Sequence, residues 1–202
     1  MTNRQSGADT EGKGPGRPRD ERMTGAVLDA VVELVAERGM GELTMAAVAA
    51  RAGVSKPAIY RRWPTKQDLV IAAAEARVGV LTVPDLGSFR DELRELLTAR
   101  LRQYRAPGVD RLLAGVIGSA AEVGAERSAY GAYAGRVTGE TRRILERGIV
   151  RGDVRPDTDV AATATLVAGS LLFRMLAEQD APDTGLVDAV VDMVARAVGT
   201  EA

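Results

Sequence analysis

The sequence predicts an all-α fold, on three observations. Aromatic residues, which favour strands, make up only 3% of the chain, while the good helix formers Ala, Leu, Arg and Glu are abundant. Apolar residues recur at helical spacing, as at Val27, Leu28, Val31, Val32 and Val35. The punctuation between such runs is of the helix-cap kind, with Ser, Thr or Asp ahead and Gly or Pro behind. With 46% apolar and 27% charged residues, the 202-residue chain is expected to bury a core rather than stay disordered. That length suits one larger domain, or a small one fused to a medium one.

Taken in order, these signals give about nine helices. Met1–Arg19 is polar and rich in Gly, and reads as a disordered basic arm. Asp20–Arg38 is helical and stops at Gly39, a good left-handed cap. Thr44 caps a helix to about Arg51, and Ser55 one to about Trp63 with Pro57 in its first turn. Pro64 breaks the chain. Thr65-x-x-Asp68 then approximates a capping box and leads a helix to about Val80.

Leu81–Gly87, containing Pro84, reads as a linker, after which Ser88-x-x-Asp91 opens a helix to about Tyr104. Pro107 and Gly108 end it, and a shorter helix follows to about Glu122. A longer helix is expected over roughly Glu126–Arg151, although Gly131, Gly135 and Gly139 each cost about 0.8–1 kcal/mol relative to Ala. Asp159 caps a helix to about Glu178, and Asp183 or Thr184 caps the last, to about Val198. The organisation that follows is an arm at 1–19, a small helical head at 20–66 and a larger helical domain at 67–202.

Composition also limits the chemistry. With no Cys and no His, disulfides, thiolate chemistry, the usual zinc sites and Ser-His-Asp catalysis are excluded, and neither a metal nor a cofactor is expected. Met1–Arg22 lacks the apolar core of a signal peptide, and no apolar run approaches the roughly 20 residues needed to cross a bilayer. A cytoplasmic protein with no membrane partner is the expectation. The net charge of −1 does not itself suggest nucleic acid.

Its distribution does. Residues 1–70 carry 11 Lys and Arg against 9 Asp and Glu, and Ser55–Lys66 holds Lys56, Arg61, Arg62 and Lys66 with no acid. Phosphate attraction is local, because screening acts over about 8 Å in physiological salt. Residues 43–66, LTMAAVAARAGVSKPAIYRRWPTK, lay out two short helices joined through Ala52-Gly53-Val54. That is a helix-turn-helix, in which one helix braces and the next enters the DNA major groove. Ala49 is small where the helices must approach, and Gly53 supplies the positive φ that the turn needs. Val48, Val54 and Ile59 fall where a three-helix core needs apolar anchors.

On these residues, Thr24–Ala74 resembles the N-terminal DNA-binding domain of the tetracycline-repressor (TetR) family of bacterial regulators. The matching stretches are LDAVVELVAERG, LTMAAVAARAGVSKPAIYRRW and the following Pro-Thr-Lys. The resemblance implies an all-α homodimer with an N-terminal three-helix DNA-binding domain and a larger C-terminal domain that dimerises and receives a small effector. Effector binding typically spreads the two heads and releases the operator.

Position by position, the resemblance implies phosphate binding at Thr44 and contacts near the groove edge from Ser55 and Lys56. Pro57 and Ala58 would face the bases through apolar contact only, and Tyr60 would touch phosphate or a thymine methyl. Arg61 is the first choice for bidentate guanine reading, Arg62 for backbone contact and Lys66 for phosphate. Trp63 is expected to pack the reading helix onto the next. Arg17 and Arg19, within Gly16-Arg17-Pro18-Arg19, suit either a narrow minor groove or a solvated leader.

The last two helices, about 160–178 and 184–198, are apolar around most of their girth and predict self-association through a four-helix interface. Effector-lining candidates on the larger domain are Tyr104, Tyr130, Tyr133, Phe173 and Arg174, together with Met175. Two rival classes are a helical enzyme, for which no paired-carboxylate or glycine-loop motif appears, and an architectural DNA protein. The function expected is a sequence-specific regulator, in the first instance a homodimeric repressor of a palindromic operator.

Overall fold

The computed structural model describes residues 17–120, 129–178 and 180–200; for residues 17–19, 119, 120, 129, 130, 132 and 133 it describes the backbone alone. Among them run nine helices: α1 (Arg17–Arg38), α2 (Met45–Ala52), α3 (Lys56–Arg62), α4 (Lys66–Arg77), α5 (Phe89–Tyr104), α6 (Val109–Ala120), α7 (Ala129–Arg151), α8 (Val160–Leu176) and α9 (Thr184–Val198). The nearest thing to a strand among the described residues is a single antiparallel bridge between Val154 and Gly199.

The caps anticipated from sequence are made. The side-chain oxygens of Thr44, Ser55, Ser88, Asp159 and Asp183 each accept a hydrogen bond from the backbone three residues on, and Thr65 with Asp68 closes a full capping box. Each satisfies amides that have no partner within the helix.

Two boundaries differ by three residues each. Helix α1 begins at Arg17 rather than Asp20. Pro18 lies in its first turn, where no N–H is needed, so Arg17 and Arg19 belong to a helix rather than to a free arm. The rest of the arm, Met1–Gly16, lies outside the described residues. Helix α4 stops at Arg77, three residues early, where Val78 takes φ −115° and ψ 61°. Helix α7 runs unbroken through Gly131, Gly135 and Gly139, as expected. A Cβ at Gly135 would meet nothing within 4 Å, and one at Gly139 only the Arg143 side chain, so no neighbouring helix makes a close approach at either position.

One apolar cluster joins head and body. Val27, Val31 and Val35 of α1 meet Val48 of α2, Ile59 of α3 and Leu69 of α4, and the cluster continues through Leu93, Leu112, Leu113, Leu145 and Leu171. Helix α4 is the common element, since it packs on α1, α6 and α7. Close packing sets glycine at Gly108, where a Cβ would stand 2.8 Å from the Ala36 Cβ.

The segment between α4 and α5 is a strap held by two buried carboxylates. Glu140 of α7, 2% exposed, pairs with Arg100 of α5, 4% exposed, and accepts a 2.5 Å bond from the Leu81 amide. Arg100 also donates to the Gly79 carbonyl. Further along, fully buried Glu92 accepts from the Leu86 amide, Arg147 and Arg151, and Arg147 donates to the Val83 carbonyl. Every second residue from Gly79 to Val83 is thus tied to a charged group on α5 or α7.

Candidate nucleic-acid interface

Helix α3 is held at its angle by three devices. Ser55 caps its start, and Gly53 turns the chain at φ 66° and ψ 32° while its amide returns to the α2 carbonyls. Ile59 and Trp63, one helical turn apart, are both buried against the head. Helix α2 is fixed to α1 by Arg51, which grips Glu37 at 2.6 Å and Glu33 at 3.1 Å. The Arg51 hydrogen bond holds the Glu37 carboxyl below the ordinary carboxylate range, and the same acids push the Arg51 guanidinium upward.

With Ile59 and Trp63 inward, the opposite face of α3 is open. Lys56, Pro57, Tyr60, Arg61 and Arg62 are exposed, and Ala58 is half-buried. The side chains of Lys56 and Arg61 have no partner among the described residues. Two other cations are engaged. Arg62 lies 3.1 Å from Asp20 of α1, with its guanidinium 5.6 Å from the centre of the Trp63 ring. Lys66 donates to the Met40 carbonyl at 3.2 Å. Exposed Thr44 spends an acceptor lone pair on the Ala47 amide and keeps its O–H free to donate. The face therefore presents donors and positive charge, the chemistry that meets phosphate and the guanine edge.

Of the effector candidates, the described side chains of Tyr104, Phe173 and Arg174 have different surroundings. Tyr104 is in the core, with Arg100 over its ring at 5.9 Å. One edge of it reaches a cleft of about 350 Å³ shared with Arg105, Pro107, Met175 and Pro182. Phe173 points outward, 62% exposed, because Ala164, Val167 and Leu171 occupy the inward stripe of α8 and Phe173 falls off it. This corrects its expected place in a pocket wall. Arg174 pairs with Glu178 at 3.0 Å and Asp180 at 3.3 Å on its own chain, so the acid that it meets needs no second protomer. The side chains of Tyr130 and Tyr133 lie outside those described.

Two contacts gave no signal in the sequence: Asp20 with Arg62, and Arg51 with Glu33 and Glu37. Both join residues far apart in the chain, where periodicity is silent.

Comparisons with known proteins agree with this geometry. Residues 27–73 match the model of the bacterial regulatory proteins of the tetR family, and residues 83–194 match that of the tetracyclin repressor-like C-terminal domain. The HTH-type transcriptional regulator YdeS of Bacillus subtilis (strain 168) is 33% identical over 171 residues, spanning 82% of this chain and 84% of that protein. The HTH-type regulator AqdR of Rhodococcus erythropolis is 30% identical over 152 residues, 75% of this chain and 73% of that one. Among solved structures, the TetR family transcription regulator SCO0332 superposes with a TM-score of 0.61 at 27% identity, covering 89% of this chain and all of that one. A TetR regulator from Agrobacterium tumefaciens shares the fold, with a TM-score of 0.66 at 22% identity over 89% of this chain and 95% of that one. With an all-α architecture, a helix-turn-helix head and both halves matched, the chain belongs to the TetR family and is a DNA-binding transcriptional regulator.

Proposed function

We propose that the protein is a homodimeric repressor that binds a palindromic operator and leaves it when a small molecule occupies the larger domain. The observation that carries this reading is the outward face of α3. Lys56 and Arg61 stand there without a partner among the described residues, and no acid occurs between Ser55 and Lys66. Arg61 reads a guanine, while Thr44, Ser55, Lys56, Tyr60, Arg62 and Lys66 hold the backbone, and Pro57 and Ala58 give apolar contact to the bases. Arg17 and Arg19, at the start of α1, add charge beside the duplex.

One helix of seven residues reads too few bases for a unique site, which is the physical reason for a pair. Two such helices about 34–36 Å apart reach successive major grooves. Exposed Leu166 and Phe173 on α8 and Met193 on α9 supply an apolar face for that pairing. The effector acts on the larger domain, with Tyr104, Tyr130, Tyr133 and Arg174 the side chains to test. Action on chromosomal DNA places the protein in the cytoplasm.

Selection of binding sites from random duplex DNA tests the reading. A two-fold symmetric site preferred by roughly 10³ or more over random sequence supports it. Equal binding to all sequences at physiological salt replaces it with an architectural role.

A further inference from the structure

Of the four cations between Ser55 and Lys66, Arg62 alone faces an acid. Lys56 and Arg61 are unpartnered among the described residues, and Lys66 meets a neutral carbonyl. Arg62 reaches the Asp20 carboxylate at 3.1 Å while lying over Trp63, which is buried and cannot move aside. A ring beneath and an acid beside the guanidinium restrict where it points. Asp20 sits in the first turn of α1, where the helix N-terminus favours its charge. Both side chains remain about half exposed, so a phosphate from solvent can reach the pair and displace the acid.

We propose that Asp20 is a specificity-determining residue, its carboxylate occupying Arg62 as a phosphate oxygen would until a correctly seated duplex displaces it. The inference rests on the DNA-binding reading of α3. A carboxylate and a phosphate oxygen accept from a guanidinium with similar geometry and charge, so they compete for one donor set. On random DNA the head is loosely placed and Arg62 stays with Asp20. On the operator, base contacts fix the head against the backbone, and the local phosphate replaces the carboxylate. Asp20 therefore weakens loose binding more than seated binding and widens the gap between them.

The test uses the full-length protein and a random-sequence duplex, with affinity measured by fluorescence anisotropy from 50 to 200 mM salt. Asp20→Asn keeps the side chain's shape and removes the charge. Expected is an increase in affinity for random DNA of about 1.5- to 5-fold for each engaged head, the range of an exposed ion pair. The slope of log K against log salt should steepen by about 0.9 per head, because one more phosphate is neutralised. With Ala at 62 there is no guanidinium to release, so Asp20→Asn should gain clearly less there than in the unsubstituted protein. Circular dichroism of each variant confirms an intact head.

A gain as large with Ala at 62 as with Arg reduces Asp20 to a general repulsive charge and overturns the proposal. Unchanged or weaker binding by Asp20→Asn overturns it too. Failure of the unsubstituted protein to bind any duplex at 50 mM salt is a different result, which removes the DNA-binding reading itself.

Discussion

Replacing Glu140 with Leu leaves the buried Arg100 guanidinium only neutral acceptors, the Gly79 carbonyl and Gln103 Oε1, with its charge uncompensated. A guanidinium has no route to neutrality in a protein, so it must stay charged or drag water inward. Arg100 is 4% exposed and Glu140 2%, so surface screening gives no relief. Breaking one side of such a pair costs about 3–5 kcal/mol. The loss includes the Leu81 amide, which gives up its acceptor and by itself accounts for about 1–3 kcal/mol of the total.

Against a stability on the order of 5–15 kcal/mol, that is a large fraction. At about 2–4 °C per kcal/mol for a chain of this size, the melting temperature should fall by about 6–20 °C. The companion is the double variant Arg100→Met with Glu140→Leu, which removes both charges and keeps the volume. It should recover the part of the loss due to the uncompensated charge, the Leu81 amide staying without its acceptor, and leave a coupling energy of about 2 kcal/mol or more in the cycle. Urea denaturation followed by far-ultraviolet circular dichroism supplies all four stabilities. A Glu140→Leu cost below about 1 kcal/mol, or a double variant as damaged as the two single losses added together, would refute the claim that this pair pins the strap.

Other positions give clean expectations. Arg61→Ala should cost about 1–3 kcal/mol on the selected operator and relax base preference at one position, read by competition against single-base variants. Gly53→Val should destabilise the head by about 1–2 kcal/mol, because a β-branched residue is poorly tolerated at φ 66°, while Gly53→Asn should cost less. A Cβ there meets nothing within 4 Å, so the whole loss is backbone strain, and thermal melts of the two variants should separate. Glu37 has its folded-state pKa lowered by the Arg51 hydrogen bond, so its ionisation stabilises the fold above the unfolded value. That contribution should vanish as pH falls below the unfolded value and through the lower folded one, closing the stability gap to Glu37→Gln. Leu166→Glu, at a site 73% exposed, should leave the melting of the protomer nearly unchanged yet shift sedimentation velocity towards monomer.

What could be read from the sequence was whatever is encoded within one helical turn. Ser55, Ser88, Asp159 and Asp183 reach amides three residues away, so the cap and the helix that it starts lie in one short window. The same holds for Gly53, whose left-handed turn fixes α3 against α2, and for the alternation that sends Ile59 and Trp63 inward while Arg61 faces out. Helix α1 exceeded its expected start because the polar, Gly-rich composition of Met1–Arg19 hid a first turn in which Pro18 breaks nothing. Phe173 was misplaced for a related reason. Helix α8 is apolar on nearly all sides, so its composition could not say which side is inward.

The contacts that escaped are those whose two halves are distant in the chain. Arg62 meets Asp20 across 42 positions, and Arg100 meets Glu140 across 40; neither end carries a local mark of the other. An arginine on a helix looks the same in sequence whether it awaits a phosphate or already holds a carboxylate. This difference decides function here, because α3 divides its cations between the two conditions. Lys56 and Arg61 hold no partner among the described residues, and Arg62 holds Asp20. A count of basic residues between Ser55 and Lys66 therefore overstates the charge that a passing random duplex would meet, and the true figure depends on an acid at the far end of α1.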